Sequence, residues 1–387
     1  MEERLPKAAA KDADEGFTAS SAKDAGEGFP NALGNNAGEG FAAAPGRDIR
    51  GALPEELAEL MKSLSEPAYR GRQIFAWIHR EKVSDFDQMT NISKSLRDRL
   101  DADYPLVRSE LIRRRVSADG TKKYLFALED GVRIESVLMS HREETGHIRH
   151  TICLSTQAGC AMGCAFCATA GMGFKRNLTA GEIVGQVLDI AAIEQADIHN
   201  LVYMGMGEPL LNPEAVKRSI LILNHPLGLN IGARRFTVST CGLPDGIRAM
   251  AGWGLDAGLA VSLHAADDET RSRLMPVNRR HPLAELMAAC RDYQAASGRR
   301  FTFEYVMIKG VNTGAAEGEK LGRMLKGMSC NINLIPVNPG GHGFARPGEG
   351  EQKRFIKELE RAGLNPVLRQ ERGADVGGAC GQLAAEN

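Results

Sequence analysis

Three cysteines fall within eight residues of one another in Gln157-Ala-Gly-Cys160-Ala-Met-Gly-Cys164-Ala-Phe-Cys167-Ala-Thr169. The C-x3-C-x2-C spacing lies in a run of glycine and alanine that can fold back and aim three thiolates at one centre. Cysteine sulfur is the usual holder of an iron–sulfur cluster. A 4Fe–4S cube needs four ligands, so Cys160, Cys164 and Cys167 leave one iron open to another molecule. Structural zinc is the plainer alternative, but it takes four closed protein ligands. The nearest further Cys or His is Cys153, seven residues upstream on a strand-like run. Another thiol, Cys380, stands in Gly377-Gly378-Ala379-Cys380-Gly381. Such a flexible stretch could carry a thiol between two partners, or simply hold an incidental one. Cys241, Cys290 and Cys330 read as core or surface residues.

The chain that must position these thiols has 387 residues, 43% hydrophobic and 25% charged, enough for a substantial core. Eight cysteines are too few for a disulfide scaffold, and clustered cysteines in a reducing compartment mean metal or redox chemistry. The opening residues MEERLPKAAAKDADEG lack the apolar core of a secretory signal, and no apolar run is long enough to span a membrane. A soluble, cytoplasmic protein without membrane contact is expected. Net charge is −1, so any nucleic-acid affinity must come from local basic patches. The pairs Lys175-Arg176, Arg234-Arg235 and Arg279-Arg280 are candidates for phosphate contact, with plain solvation as the alternative.

Residues 1–50 repeat Glu-Gly-Phe at Glu15, Glu27 and Glu39, with one apolar residue per repeat. That cannot offset the entropy of ordering the rest, so a disordered tail is expected. Residues 51–104 show helical spacing, as in Leu57, Leu60 and Met61, and predict a small helical domain with a basic face. Residues 105–150 alternate as strands around Asp119-Gly120 and Asp130-Gly131, both hairpin turn signals. Arg113-Arg114-Arg115 and Lys122-Lys123 would put several cations on that ribbon. From Thr151 to about 372, nearly continuous apolar strands alternate with amphipathic helices. This predicts an α/β fold with a parallel sheet, a partial (β/α)6 TIM-type barrel carrying the helical domain and the β-hairpin extension. In such barrels chemistry sits at the C-terminal strand ends, where Gly207-Glu208, Ser239, Ser262, His264 and Asn338 fall. Residues 373–387 would be a flexible terminal segment.

Cys160-Ala-Met-Gly-Cys164-Ala-Phe-Cys167-Ala-Thr, Tyr203-Met-Gly-Met-Gly-Glu208-Pro-Leu, Val261-Ser-Leu-His264-Ala and Ala379-Cys380-Gly-Gln-Leu together resemble the RlmN/Cfr ribosomal RNA methyltransferases. These belong to the radical S-adenosylmethionine superfamily, and the resemblance runs from about Leu53 to the C-terminus. It implies a 4Fe–4S cluster on Cys160, Cys164 and Cys167, with S-adenosylmethionine chelating the fourth iron and two molecules of it used per turnover. It implies methylation of an adenine carbon, which is not nucleophilic and so needs a radical route, with the cofactors carrying the hard chemistry. Cys380 would become an S-methylcysteine, lose a hydrogen to the cofactor-derived radical, and join the RNA. Glu135 would accept the proton from the adenine carbon. Cys153 would then release the product through a transient Cys153–Cys380 disulfide.

Gly207, Glu208, Ser239, Ser262, Leu263, His264 and Asn338 match the family's S-adenosylmethionine contacts. Taken alone, Glu135 reads as an exposed strand carboxylate and Cys153 as a core thiol. The helical N-terminal segment favours the RlmN-type carbon-2 enzymes over the Cfr-type carbon-8 enzymes. The implied partners are 23S rRNA, tRNA and an external electron donor such as flavodoxin, with the chain acting as a monomer. A tRNA thiomethyl transferase would need a second cysteine set. A non-enzymatic metal-binding RNA module would have no use for Cys380.

Overall fold

The computed structural model describes residues 48–338 and 343–385. The Glu-Gly-Phe repeats and part of the glycine-rich loop at Gly340 lie outside the described residues. The first unit is helical, with α1 (Pro54–Ser63), α2 (Tyr69–His79) and α3 (Lys94–Asp103). Glu56 caps α1 by accepting from the Leu53 N–H at 2.8 Å, and Ser93 caps α3. Leu57, Leu60 and Met61 of α1 pack fully buried with Ile74, Phe75 and Ile78 of α2. The two helices cross so closely that a Cβ on Gly71 would stand 2.4 Å from the Ala58 nitrogen.

An antiparallel meander comes next: β1 (Glu110–Val116), β2 (Lys122–Ala127), β3 (Arg133–Arg142) and β4 (Ile148–Cys153). Gly120 and Gly131 hold the two expected turns at positive φ. A third turn at Gly146, φ +83°, joins β3 to β4. The strand expected from Thr151 therefore begins at Ile148, and β1 to β3 extend the sheet of parallel strands at its antiparallel end. After β4 come the short strands β5 (Gln157–Gly159) and β6 (Phe174–Asn177), then α4 (Ala180–Glu194). The chain continues through β7 (Asn200–Tyr203), α5 (Pro213–Asn224), β8 (Phe236–Thr240), α6 (Pro244–Ala251) and β9 (Gly258–Ser262). It ends with α7 (Asp268–Leu274), α8 (Leu283–Ser297), β10 (Phe301–Met307), α9 (Ala315–Leu325), β11 (Cys330–Pro336), α10 (Glu349–Arg361) and β12 (Pro366–Leu368).

Among the described residues one ten-stranded sheet runs β1-β2-β3-β4-β7-β8-β9-β10-β11-β12. From β4 onward every pairing is parallel. Helical crossovers cover that part, as expected for strands apolar on both faces. The two ends of the sheet do not pair with each other, so the barrel is open. Thr179 and Glu182 form a capping box at the start of α4, at 3.1 and 2.8 Å. Ahead of α9 the Asn312 and Thr313 side chains bond to the Ile308 backbone.

Candidate active site

The cysteine loop is held between β5 and β6, which pair antiparallel. Gly159, at φ +76°, has no room for a Cβ, which would lie 1.8 Å from the Gly173 carbonyl oxygen. The Cys160 N–H donates to that carbonyl at 2.9 Å, and the Ala165 N–H donates to the Leu274 carbonyl of α7 at 2.9 Å. Cys160, Cys164 and Cys167 all line one cavity of about 480 Å³ at the C-terminal strand ends. Burial pushes Cys160 up to about 12 and raises Cys164 well above an ordinary thiol, and neighbouring cysteine charges add to both shifts. A multivalent cation centre would favour the thiolate form of both. Three thiols on one loop match the cysteine ligation of an iron–sulfur cluster.

Glu208 follows β7, is 2% exposed and lines the same cavity. Its Oε1 accepts from the Leu210 N–H at 3.0 Å and its Oε2 from the Cys241 N–H at 2.7 Å. Burial raises its pKa, and those two amides oppose the shift. Gly207 sits at φ +101°, with Gln157 where a Cβ would go. Ser239, Ser262, His264 and Asn338 also line the cavity, but Leu263 is buried behind it, its N–H donating to the Glu304 carbonyl at 3.0 Å. His264 has φ +59°. Its Nδ1 accepts from the Val306 N–H at 3.0 Å, and its ring meets Phe166 edge-on at 4.9 Å. Burial, then Arg271, holds His264 down to about 3, so it is neutral. Asn338 donates through Nδ2 to the Cys380 carbonyl at 3.2 Å. Its buried Oδ1 lacks a partner among the described residues, which leaves an acceptor for a ligand.

Cys380 lines the same cavity beside the cysteine loop and is solvent-exposed. The protein around it still raises its pKa, and Arg369 opposes this. Cys153, at the end of β4, is pushed up to about 12 by burial and then by Cys380, so the two thiols sit within electrostatic reach. The segment bearing Cys380 is docked. The Ala168 N–H donates to the Gly381 carbonyl at 2.7 Å, and Thr169 Oγ1 donates to the Leu383 carbonyl at 2.6 Å. Asp375 accepts from the Ala118 N–H at 3.1 Å, and Asp119 accepts from the Gly373 N–H at 3.0 Å.

Glu135, read from spacing as exposed, is 2% exposed, because β3 turns that face under the docked segment. It does not line the large cavity. Lys123 is likewise buried rather than part of an outer cationic ribbon. The other cations of that ribbon are partly committed, since Arg114 and Lys122 both pair with Glu194. Arg176, a candidate for phosphate contact, is bonded to Asp130 and Glu182 at 2.7 Å each. Sequence reasoning missed Cys241, which lines the cavity just past β8, and Arg271, whose burial no pattern on the short helix α7 announces.

Two family models match the chain. Residues 154–317 match the radical SAM superfamily, and residues 48–104 match the ribosomal RNA large subunit methyltransferase N-terminal domain. A probable dual-specificity RNA methyltransferase RlmN from Heliobacterium modesticaldum is 48% identical over 342 residues, 87% of this chain and 89% of that protein. A protein of the same description from Moorella thermoacetica is 47% identical over 346 residues, 87% of this chain and 96% of the relative. The crystal structure of a radical SAM methyltransferase from Sphaerobacter thermophilus superposes with a TM-score of 0.84 at 46% identity, covering 88% of this chain and all of that one.

Proposed function

The chain belongs to the RlmN family of radical SAM methyltransferases, and from that membership we propose that it methylates carbon 2 of an adenine in 23S rRNA and of an adenosine beside the tRNA anticodon. The observation that carries the reading is that Cys160, Cys164, Cys167 and Cys380 all line one cavity. The first three fit a 4Fe–4S cluster. Glu208, the strand-end serines and the unpartnered Asn338 Oδ1 fit S-adenosylmethionine beside it. When bound, these groups supply the methyl carbon and the radical chemistry that an unreactive adenine carbon requires.

The chain's own residues do the rest. Cys380 loses its thiol proton and carries the methyl carbon as a thioether, handing it to the adenine from the docked segment. Glu135 accepts the proton displaced from that carbon. The Cys153 thiolate attacks the Cys380 sulfur and breaks the sulfur–carbon bond. The bonding pair stays with the departing methylene carbon, which takes up a proton to become the methyl group, and a Cys153–Cys380 disulfide remains. An external dithiol returns both thiols by exchange, and an external electron donor, such as a flavodoxin, supplies the electron for the radical chemistry. The relatives carry the RlmN name, which supports carbon 2 over the carbon-8 alternative.

The reading is tested by mass mapping of methylated adenosines in ribosomal and transfer RNA from a deletion strain. Loss at carbon 2 in both is expected, and loss at carbon 8 alone would overturn the assignment. Anaerobic reconstitution should load about four irons per chain.

A further inference from the structure

Lys123 sits on β2 with its ammonium turned inward, 6% exposed and 2.9 Å from Glu135 Oε1. Leu125 pairs with Glu135 across β2 and β3, and Lys123 pairs with Val137, so Lys123 and Glu135 are diagonal neighbours on one face. Glu135 Oε2 accepts from the Ala384 N–H of the docked segment at 2.9 Å. Gly377 of that segment lies over the ammonium, and a Cβ there would stand 3.3 Å from Lys123 Nζ. The lysine therefore touches both the carboxylate and the backbone that carries Cys380. Arg113 and Arg115 of β1 border the same small recess. A carboxyl buried without a cation takes up a proton rather than remain charged.

We propose that Lys123 is a positioning residue that keeps Glu135 an ionised carboxylate beneath the C-terminal segment, ready to receive the adenine proton. The proposal rests on the reading of Glu135 as proton acceptor. A carboxylic acid at that place would have its proton already and would leave the methylene-bridged RNA adduct standing.

The test compares the full-length wild type with Lys123→Met, Lys123→Arg and Glu135→Gln, using two readouts. Difference infrared spectra, each protein against the same protein also carrying Glu135→Gln, need no turnover. Carboxylate bands are expected for wild type and Lys123→Arg, and a carboxylic-acid band for Lys123→Met. A carboxylate band in Lys123→Met overturns the proposal. In the reconstituted enzymes, Lys123→Met and Glu135→Gln should slow release of the protein–RNA adduct about 100-fold, and Lys123→Arg should restore it. Failure of Lys123→Arg to restore release would also count against the proposal. If Glu135→Gln releases RNA at the wild-type rate, the acceptor reading fails, while the infrared result still decides the role of Lys123. Where Lys123→Met does not fold, Lys123→Gln keeps a donor without the charge and is read the same way.

Discussion

The two walls of the cavity are held by different kinds of bond. On the strand-end wall, Arg271 is fully buried and braces three neighbouring backbones. It donates to the carbonyls of Leu263 at 3.1 Å, Ser262 at 3.1 Å and Cys241 at 2.7 Å, and to Asn278 Oδ1 at 2.8 Å. Asn312 ties the His264 carbonyl to the Val306 carbonyl from one amide. On the other wall, residues 373–385 are fastened mostly through their own backbone, and only Ala379, Leu383 and Ala385 bury apolar side chains. Few buried contacts mean a low cost of local opening. The cross-braced wall is suited to a ligand whose geometry must not change. The lightly fastened wall is suited to a group that must travel, and it carries Cys380.

The largest expected effect breaks the travelling side. Cys380→Ala should abolish methyladenosine in RNA measured by nucleoside mass spectrometry, while Cys153→Ala should leave a covalent protein–RNA species on a denaturing gel. Neither should change the iron content. Next comes the fixed side, where Arg271→Met removes a charged donor from four acceptors at once. It should lower unfolding free energy by roughly 3–5 kcal/mol in denaturant titration. The matched change on the other wall, Thr169→Val, removes only the bond to the Leu383 carbonyl, worth about 1 kcal/mol. It should speed amide exchange in residues 381–385 and leave the urea midpoint nearly in place.

The smallest effect at neutral pH comes from His264 and His79, both held neutral by burial and down to about 3. The unfolded chain protonates them near their ordinary value of 6.5, so it binds more protons than the native state below that pH. Stability should therefore fall as pH drops from 6.5 toward 3, and His79→Phe should flatten that slope.

Much of this arrangement is legible in the sequence where chemistry and period coincide. The Asp-Gly turns, the Thr179 capping box and the apolar parallel strands are local signals, and each structural element arises from the residues that announce it. The cavity-lining strand ends come from the same alternation, because the residue after a buried strand is where the chain leaves the core. What stays hidden is which face a polar residue takes. Lys123 and Glu135 sit in strands that also expose charge, and only pairing across β2 and β3 turns both inward. β5 and β6 are too short for any period to register. Leu263 matches its family position by identity, yet it lies buried behind the cavity with its N–H bonded to the Glu304 carbonyl and its carbonyl to Arg271, which no side-chain pattern encodes.

The open sheet leaves its two ends to be bridged by other means. The chain leaves β12 at one end of the sheet, and Gly373 and Asp375 then bond to residues 117–119 beside β1 at the other. A gap that further strands would close in a complete barrel is spanned here by a stave of the terminal segment. Strand number and tilt set the bore of a closed barrel once and for all. Here the width of the opening is set instead by a handful of hydrogen bonds from one short segment to the far edge of the sheet.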